Sequence, residues 1–272
     1  MGYKKVTALA GAGALLAMSA SGAFALSANY GNAATIDGDE DAIANFNLYD
    51  MAVGATLIRA AATNTGDAGN PVVGDRFTGY YQSYVTSHQL GGLVQDAPGL
   101  NTSGIGGGYE ITVVAQFEEE VSSVGPGGYT STITGGTATM YFDTTPDLDF
   151  TTDSGFTDGD VLLTGSIVSG GAVSAPSLFS GFAQIDIVVD SHNSDVFDPD
   201  IAAAQGIFTL DLRSNVVVGL SSVGGNAVQP GDLVLGADGN LQVQPVPLPA
   251  TAWLLGSAIV GMATLRRRNN AA

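Results

Sequence analysis

Along most of the chain apolar and polar residues alternate at a period of two, in short runs set apart by Gly, Pro and Asp clusters. This is the pattern of half-buried β-strands. In Arg76 to Val85, Phe77, Gly79, Tyr81, Ser83 and Val85 share one side, and Arg76, Thr78, Tyr80, Gln82 and Tyr84 the other. Tyr109 to Phe117 repeats it, with Ile111, Val113, Ala115 and Phe117 together and Glu118-Glu119-Glu120 expected as a solvated strand end or turn. Tyr129 to Thr134 and Thr137 to Phe142 flank Gly135-Gly136, which predicts a two-residue hairpin. Val161 to Val168, Gly181 to Asp190, Gly206 to Arg213 and Leu233 to Gln244 are further predicted strands. Asp41 to Arg59 opens on an acid that suits a helix N-terminus, but Val53, Thr56 and Ile58 are β-branched and Gly54 interrupts, so a loop leading into a strand is expected. Alternation with one polar face suits antiparallel pairing. The expected fold is all-β: an antiparallel two-layer β-sandwich of about nine to eleven strands, one domain over residues 26–244.

Two uninterrupted apolar runs break the alternation. Lys4-Lys5, the apolar stretch Val6 to Met18 and the small residues of Ala23-Phe24-Ala25 have the order of a secretory signal helix over residues 1–25, with Ala23 and Ala25 at the cleavage site and Leu26 as the first mature residue. Val246 to Leu265 is 20 residues without a charge. Pro245, Pro247 and Pro249 bar a helix from running into it, so a short transmembrane helix should begin near Thr251. Arg266-Arg267-Arg268 would stay on the cytoplasmic side, which places residues 26–244 across the membrane.

Charge sharpens the picture. The whole chain carries −18, but five of its eight basic residues lie in the two terminal segments. The body keeps Arg59, Arg76 and Arg213, three cations against 26 acids, a net −23. Such a surface repels nucleic acid and anionic lipid headgroups, so nucleic-acid binding is excluded. Self-repulsion of this size favours a salty or cation-rich setting. The chain has no cysteine, so its stability rests on the core rather than on disulfides.

Candidate chemistry is sparse. The only histidines are His88 and His192. His192 sits in Asp190-Ser191-His192-Asn193-Ser194-Asp195, which holds the residue types of a hydrolase triad, but neighbours this close in sequence do not converge on one substrate atom. His88 is expected in a solvated loop. No catalytic residue is assigned and no enzyme is expected. Zinc lacks its ligands. Carboxylates offer hard oxygen donors for Ca²⁺ at Asp37 to Asp41, at Asp195 with Asp198 and Asp200, and above all at Asp147, Asp149, Asp153, Asp158 and Asp160, although counting from Asp37 the EF-hand positions six and twelve are Ala42 and Leu48. Solvated turn acids are the other reading of each cluster. Tyr80, Gln82 and Tyr84 share the outer face of one strand, where tyrosines could stack on sugar rings, and a half-buried core face is the alternative.

The tail Val246-Pro247-Leu248-Pro249-Ala250, its apolar helix and Arg266, Arg267 and Arg268 resemble the tripartite PEP-CTERM sorting segment, residues 245–272, in its Val-Pro-Leu-Pro-Ala variant. Leu248 stands where the family's motif has glutamate. The resemblance implies a Gram-negative bacterium, export by the Sec machinery, transient anchoring in the inner membrane, cleavage by an exosortase and release to the cell surface or extracellular matrix. An ordinary uncleaved C-terminal anchor is the other reading of the same residues. Tyr80 to Val85, Leu100 to Gly104, Gly108 to Thr112 and the aspartate-rich Tyr141 to Gly165 stretch are similar to flocculation-associated and matrix-associated proteins of that class. This similarity implies a structural or adhesive role in extracellular polysaccharide, in biofilm or floc formation. A secreted carbohydrate-active hydrolase carried by the same tail is the alternative.

Overall fold

The computed structural model describes residues 26–30, 42–102, 108–175, 180–198, 201, 205–213 and 219–244. The expected signal and sorting segments, the Asp37 to Asp41 cluster and Asp200 lie outside the described residues. Among the described residues there is no α-helix, and none long and apolar enough to cross a membrane.

Eight long strands follow one another around a closed, wholly antiparallel ring: β3 (Leu48–Ala60), β4 (Arg76–Leu90), β6 (Glu110–Gly125), β7 (Gly128–Asp143), β8 (Asp160–Ala175), β9 (Ser180–His192), β11 (Gln205–Arg213) and β14 (Leu233–Gln244). β3 pairs with β14 on one side and with β4 on the other, which shuts the ring. The expected antiparallel all-β character holds, whereas the two-layer sandwich gives way to a single sheet curled into an up-and-down barrel. Local alternation is the same in both. What differs is the pairing of the first and last long strands, which removes both long edges. Bulges, at Met140/Tyr141 and Thr164/Gly165 among other places, supply the bends that closure needs.

Alternate residues point into the barrel and bury a continuous apolar core: Phe77, Tyr81 and Val85 from β4, Ile111, Val113 and Phe117 from β6, Met140 and Phe142 from β7, and Ile185, Ile187 and Val189 from β9. The outer face is mostly polar, with Glu118, Thr132, Thr137, Gln184 and Asp190 exposed, and its exposed apolar side chains are scattered over β6, β8 and β9, among them the cross-strand pair Val173 and Phe182. That is the reverse of a lipid-facing barrel, whose apolar band faces out. A cavity of about 10 Å³ lies among Val113, Met140, Leu163, Ile187, Val189 and Val243, room for about one water molecule.

Two small structures cover the barrel. At the rim where β3 begins and β4 ends, β1 (Leu26–Asn29) lies between β2 (Ala42–Phe46) and β10 (Phe197–Asp198). This sheet caps the rim, and Tyr30 reaches the core to stack on Phe142 with ring centroids 5.5 Å apart. β5 (Leu93–Gln95) pairs with the last residues of β4, beyond the point where β6 stops pairing at Tyr84. On the barrel's flank the hairpin of β12 (Ser222–Val223) and β13 (Asn226–Ala227) seals a satellite cluster of Ala55, Leu57 and Val223, with Tyr80, Phe150 and Leu220 against it.

Several expected elements change length or role. Gly135-Gly136 is not a hairpin: β7 runs through it, with a bulge opposite Glu118/Glu119, and the reversal comes at Gly125 to Gly128. A Cβ on Gly136 would lie 2.1 Å from the Gln116 carbonyl oxygen, so glycine serves close strand approach there. Glu118, Glu119 and Glu120 lie within β6 rather than ending it. Where a loop leading into one strand was expected over Asp41 to Arg59, the described residues form two strands, β2 and β3.

Candidate functional site

β6 begins and β7 ends side by side at the capped rim, with Glu110 paired to Asp143. The chain leaving β7 turns back over them, so the Asp147 amide donates to Glu110 Oε1 at 3.2 Å. Glu110, Asp143 and Asp147 thereby bring carboxylate oxygens within 4.8 Å of one another. Glu110 is buried, Asp143 half-buried and Asp147 exposed. Burial first, then repulsion from Asp143 and Asp147, outweighs the Asp147 amide and pushes the Glu110 carboxyl up to about 7. Such a group can hold a proton near neutrality or release it to a hard cation.

The acids expected to gather around Ca²⁺ are divided among different tasks. Asp147 joins Glu110 and Asp143. Asp149 Oδ1 accepts the Thr151 amide at 2.7 Å and so closes a turn, which holds its carboxyl below the usual range. Asp153, at a left-handed φ of 57°, accepts the Gly224 and Gly225 amides at 3.1 and 2.8 Å and straps the β12-β13 hairpin to the barrel. Asp158, just before β8, and Asp160, its first residue, are both exposed. Glu110 was missed because it is distant in sequence and meets Asp143 and Asp147 only through the β6-β7 register and the turn that follows; Asp143, four residues before Asp147, was left out because it directly follows the strand expected to end at Phe142.

Tyr80, Gln82 and Tyr84 do share the outer face of β4, as the alternation requires, but they do not form an open platform. Gln82 is fully buried under the β12-β13 hairpin, where its Oε1 accepts the Gly224 amide at 2.5 Å. Tyr80 is half-buried in the satellite cluster with the Arg59 guanidinium 5.7 Å from its ring centroid. Arg59 is itself held by Asp232 at 2.8 Å.

His88 is buried instead of solvated. A bulge at Thr86 shifts the alternation by one residue, as Asp50 pairs with Ser87 while Met51 pairs with Val85. The imidazole enters an aromatic box of Tyr30, Phe46 and Tyr49, with Nε2 2.6 Å from the Tyr30 hydroxyl. Burial pushes its pKa down to about 4. His192, at the end of β9, packs its ring 6.2 Å from Phe197. Glu119 also points inward, accepts a hydrogen bond from Ser131 and is raised by burial. A cleft of about 320 Å³ opens at the far rim between Asn70-Pro71 and the Gly125 to Gly128 turn. Comparison with protein families, with characterised proteins and with solved structures finds no match to this chain.

Proposed function

We propose that this chain is an exported, exosortase-processed structural or adhesive protein of the cell surface or extracellular polysaccharide matrix. The observation that carries the reading is the ordered tail: Val246 to Ala250 with its prolines, an uncharged segment and three arginines. Sec-dependent export through residues 1–25 and transient inner-membrane anchoring through residues 251–265 belong to the same reading. Two features of the body support it. The barrel's outer face is polar and its net charge strongly negative, which suits a hydrated polysaccharide in the presence of cations. Among the described residues the inward side chains pack into one continuous apolar cluster, which suits a structural module.

The alternative, a secreted carbohydrate-active hydrolase, is favoured by one observation, the proton-holding Glu110 beside two further carboxylates. Calcium belongs to the proposal as its inorganic partner, referred to Glu110, Asp143 and Asp147. Mass spectrometry of the native protein from cells and from medium tests the main reading. It should find Leu26 as the N-terminus and a C-terminus that lacks Arg266 to Arg268. Full-length chain from Met1 through Arg268 in the cytosol would overturn it. Hydrolysis of matrix sugars that is lost in Glu110→Gln would establish the alternative.

A further inference from the structure

Leu93 and Val94 are the most open of the large apolar side chains on the described surface, 71% and 67% exposed. They begin β5, directly after the Gly91-Gly92 turn, at the capped rim. The strand register fixes what stands beside them: Gln242 of β14 pairs with Leu48, Leu48 with Gln89, and Gln89 with Val94. At about 4.8 Å per strand, three steps separate the end of β14 from the tip by roughly 14 Å. Gln244, two residues farther along β14, is level with the Gly91-Gly92 turn. Only residues 245–250 lie between it and the uncharged segment 251–265, and fully extended they span at most about 20 Å.

We propose that the Leu93–Val94 tip docks into the interface of a lipid bilayer when the C-terminal segment is anchored in it. The inference rests on the reading of residues 251–265 as a membrane anchor. A tether this short holds the capped rim against the bilayer, so contact by two aliphatic side chains becomes an intramolecular event at high effective concentration. Leu93 and Val94 then leave water for the acyl boundary while the polar barrel stays outside. Asp96 is exposed two residues from Val94, and the body carries a large negative charge, so the fitting surface is zwitterionic. Val73, 64% exposed at the opposite rim, matches the tip in exposure but has no tether beside it.

The chain lacks cysteine and has one tryptophan, Trp253, inside the C-terminal segment. Full-length single-cysteine variants Leu93→Cys, Val94→Cys and Val73→Cys, each carrying an environment-sensitive fluorophore, would be reconstituted in phosphatidylcholine vesicles. The expected result is a blue shift and quenching by brominated lipid for Trp253 and for the labels at positions 93 and 94, with the label at position 73 unchanged. Trp253 in lipid with the first two labels still in water would overturn docking and leave the anchor intact. An equal response at position 73 would also overturn it, as would labels already shielded without vesicles, which means that the tail folds back onto the tip. Trp253 remaining in water would sink the anchor reading and the docking with it.

Discussion

The ring of Phe117 lies over Gly79, directly across the β4-β6 pair, so that a Cβ built on Gly79 would sit 2.2 Å from Phe117 Cζ. An aromatic side chain thus fills the space that its glycine neighbour leaves in the barrel wall. Phe117 is buried, so its ring must shift within the packed core to admit a methyl group. Gly79→Ala should therefore lower unfolding free energy by about 1–3 kcal/mol. Chemical denaturation measures it, and Phe117→Leu in the same chain should recover part of the loss, since the cycle isolates the clash.

Glu110 makes the body lose stability as neutrality is approached. Its carboxyl is raised when folded, so its favourable contribution is complete below the unfolded value near 4.5 and disappears as pH rises through about 7. The change should be about 1–2 kcal/mol, less than full linkage because Asp147 beside it is solvated. Thermal melts between pH 4.5 and 8 should show it in wild type, and Glu110→Gln should flatten that limb.

His88 acts in the opposite direction. Its folded pKa is depressed to about 4, so stability falls as pH drops from about 6.5 through 4, when the boxed imidazole must take up a proton. The loss should reach about 2–3 kcal/mol. Hydrogen exchange at pH 4.5 should find Leu26 to Tyr30 opening before the barrel strands. His88→Gln, which can still bond the Tyr30 hydroxyl, should remove the acid limb.

Calcium, if it is the inorganic partner, must compete with the proton on Glu110. Millimolar Ca²⁺ is then expected to raise the melting temperature at pH 8 more than at pH 6, with the response abolished in Glu110→Gln and unaffected in Asp158→Asn. Calorimetry without heat, together with melting unchanged by Ca²⁺ or a chelator, removes calcium from the reading.

Much of the barrel was legible in local alternation. Phe77, Tyr81 and Val85 face inward as the period of two requires, and the same parity carried from Phe117 to Glu119 and Val121 would have placed Glu119 inside. Three features were not legible, each for a physical reason. Gly135-Gly136 carries the same signal whether the chain reverses or merely bulges, and only the cross-strand approach to Gln116 distinguishes the two. His88 was misplaced because the strand expected to end at Val85 runs on to Leu90, and one extra residue at Thr86 turns His88 to the inner face. Closure itself depends on β3 meeting β14, a pairing between strands at opposite ends of the body that leaves no local trace. For the candidate site, the sequence pointed to Asp147; Asp143 lies four residues before it, and Glu110, distant in sequence, joins them only through the β6-β7 register and the turn after β7.

The shut ring of long strands limits how copies of this protein can be joined. Every one of the eight already has a hydrogen-bonded neighbour on each side, so none offers a template on which another chain could grow a cross-β fibre. If copies are joined as proposed, backbone pairing between them is confined to the short strands, β2, β5 and β10 among them, and the remaining contacts fall on loops and rims, which joins discrete beads rather than extending the long-strand sheet from one copy to the next.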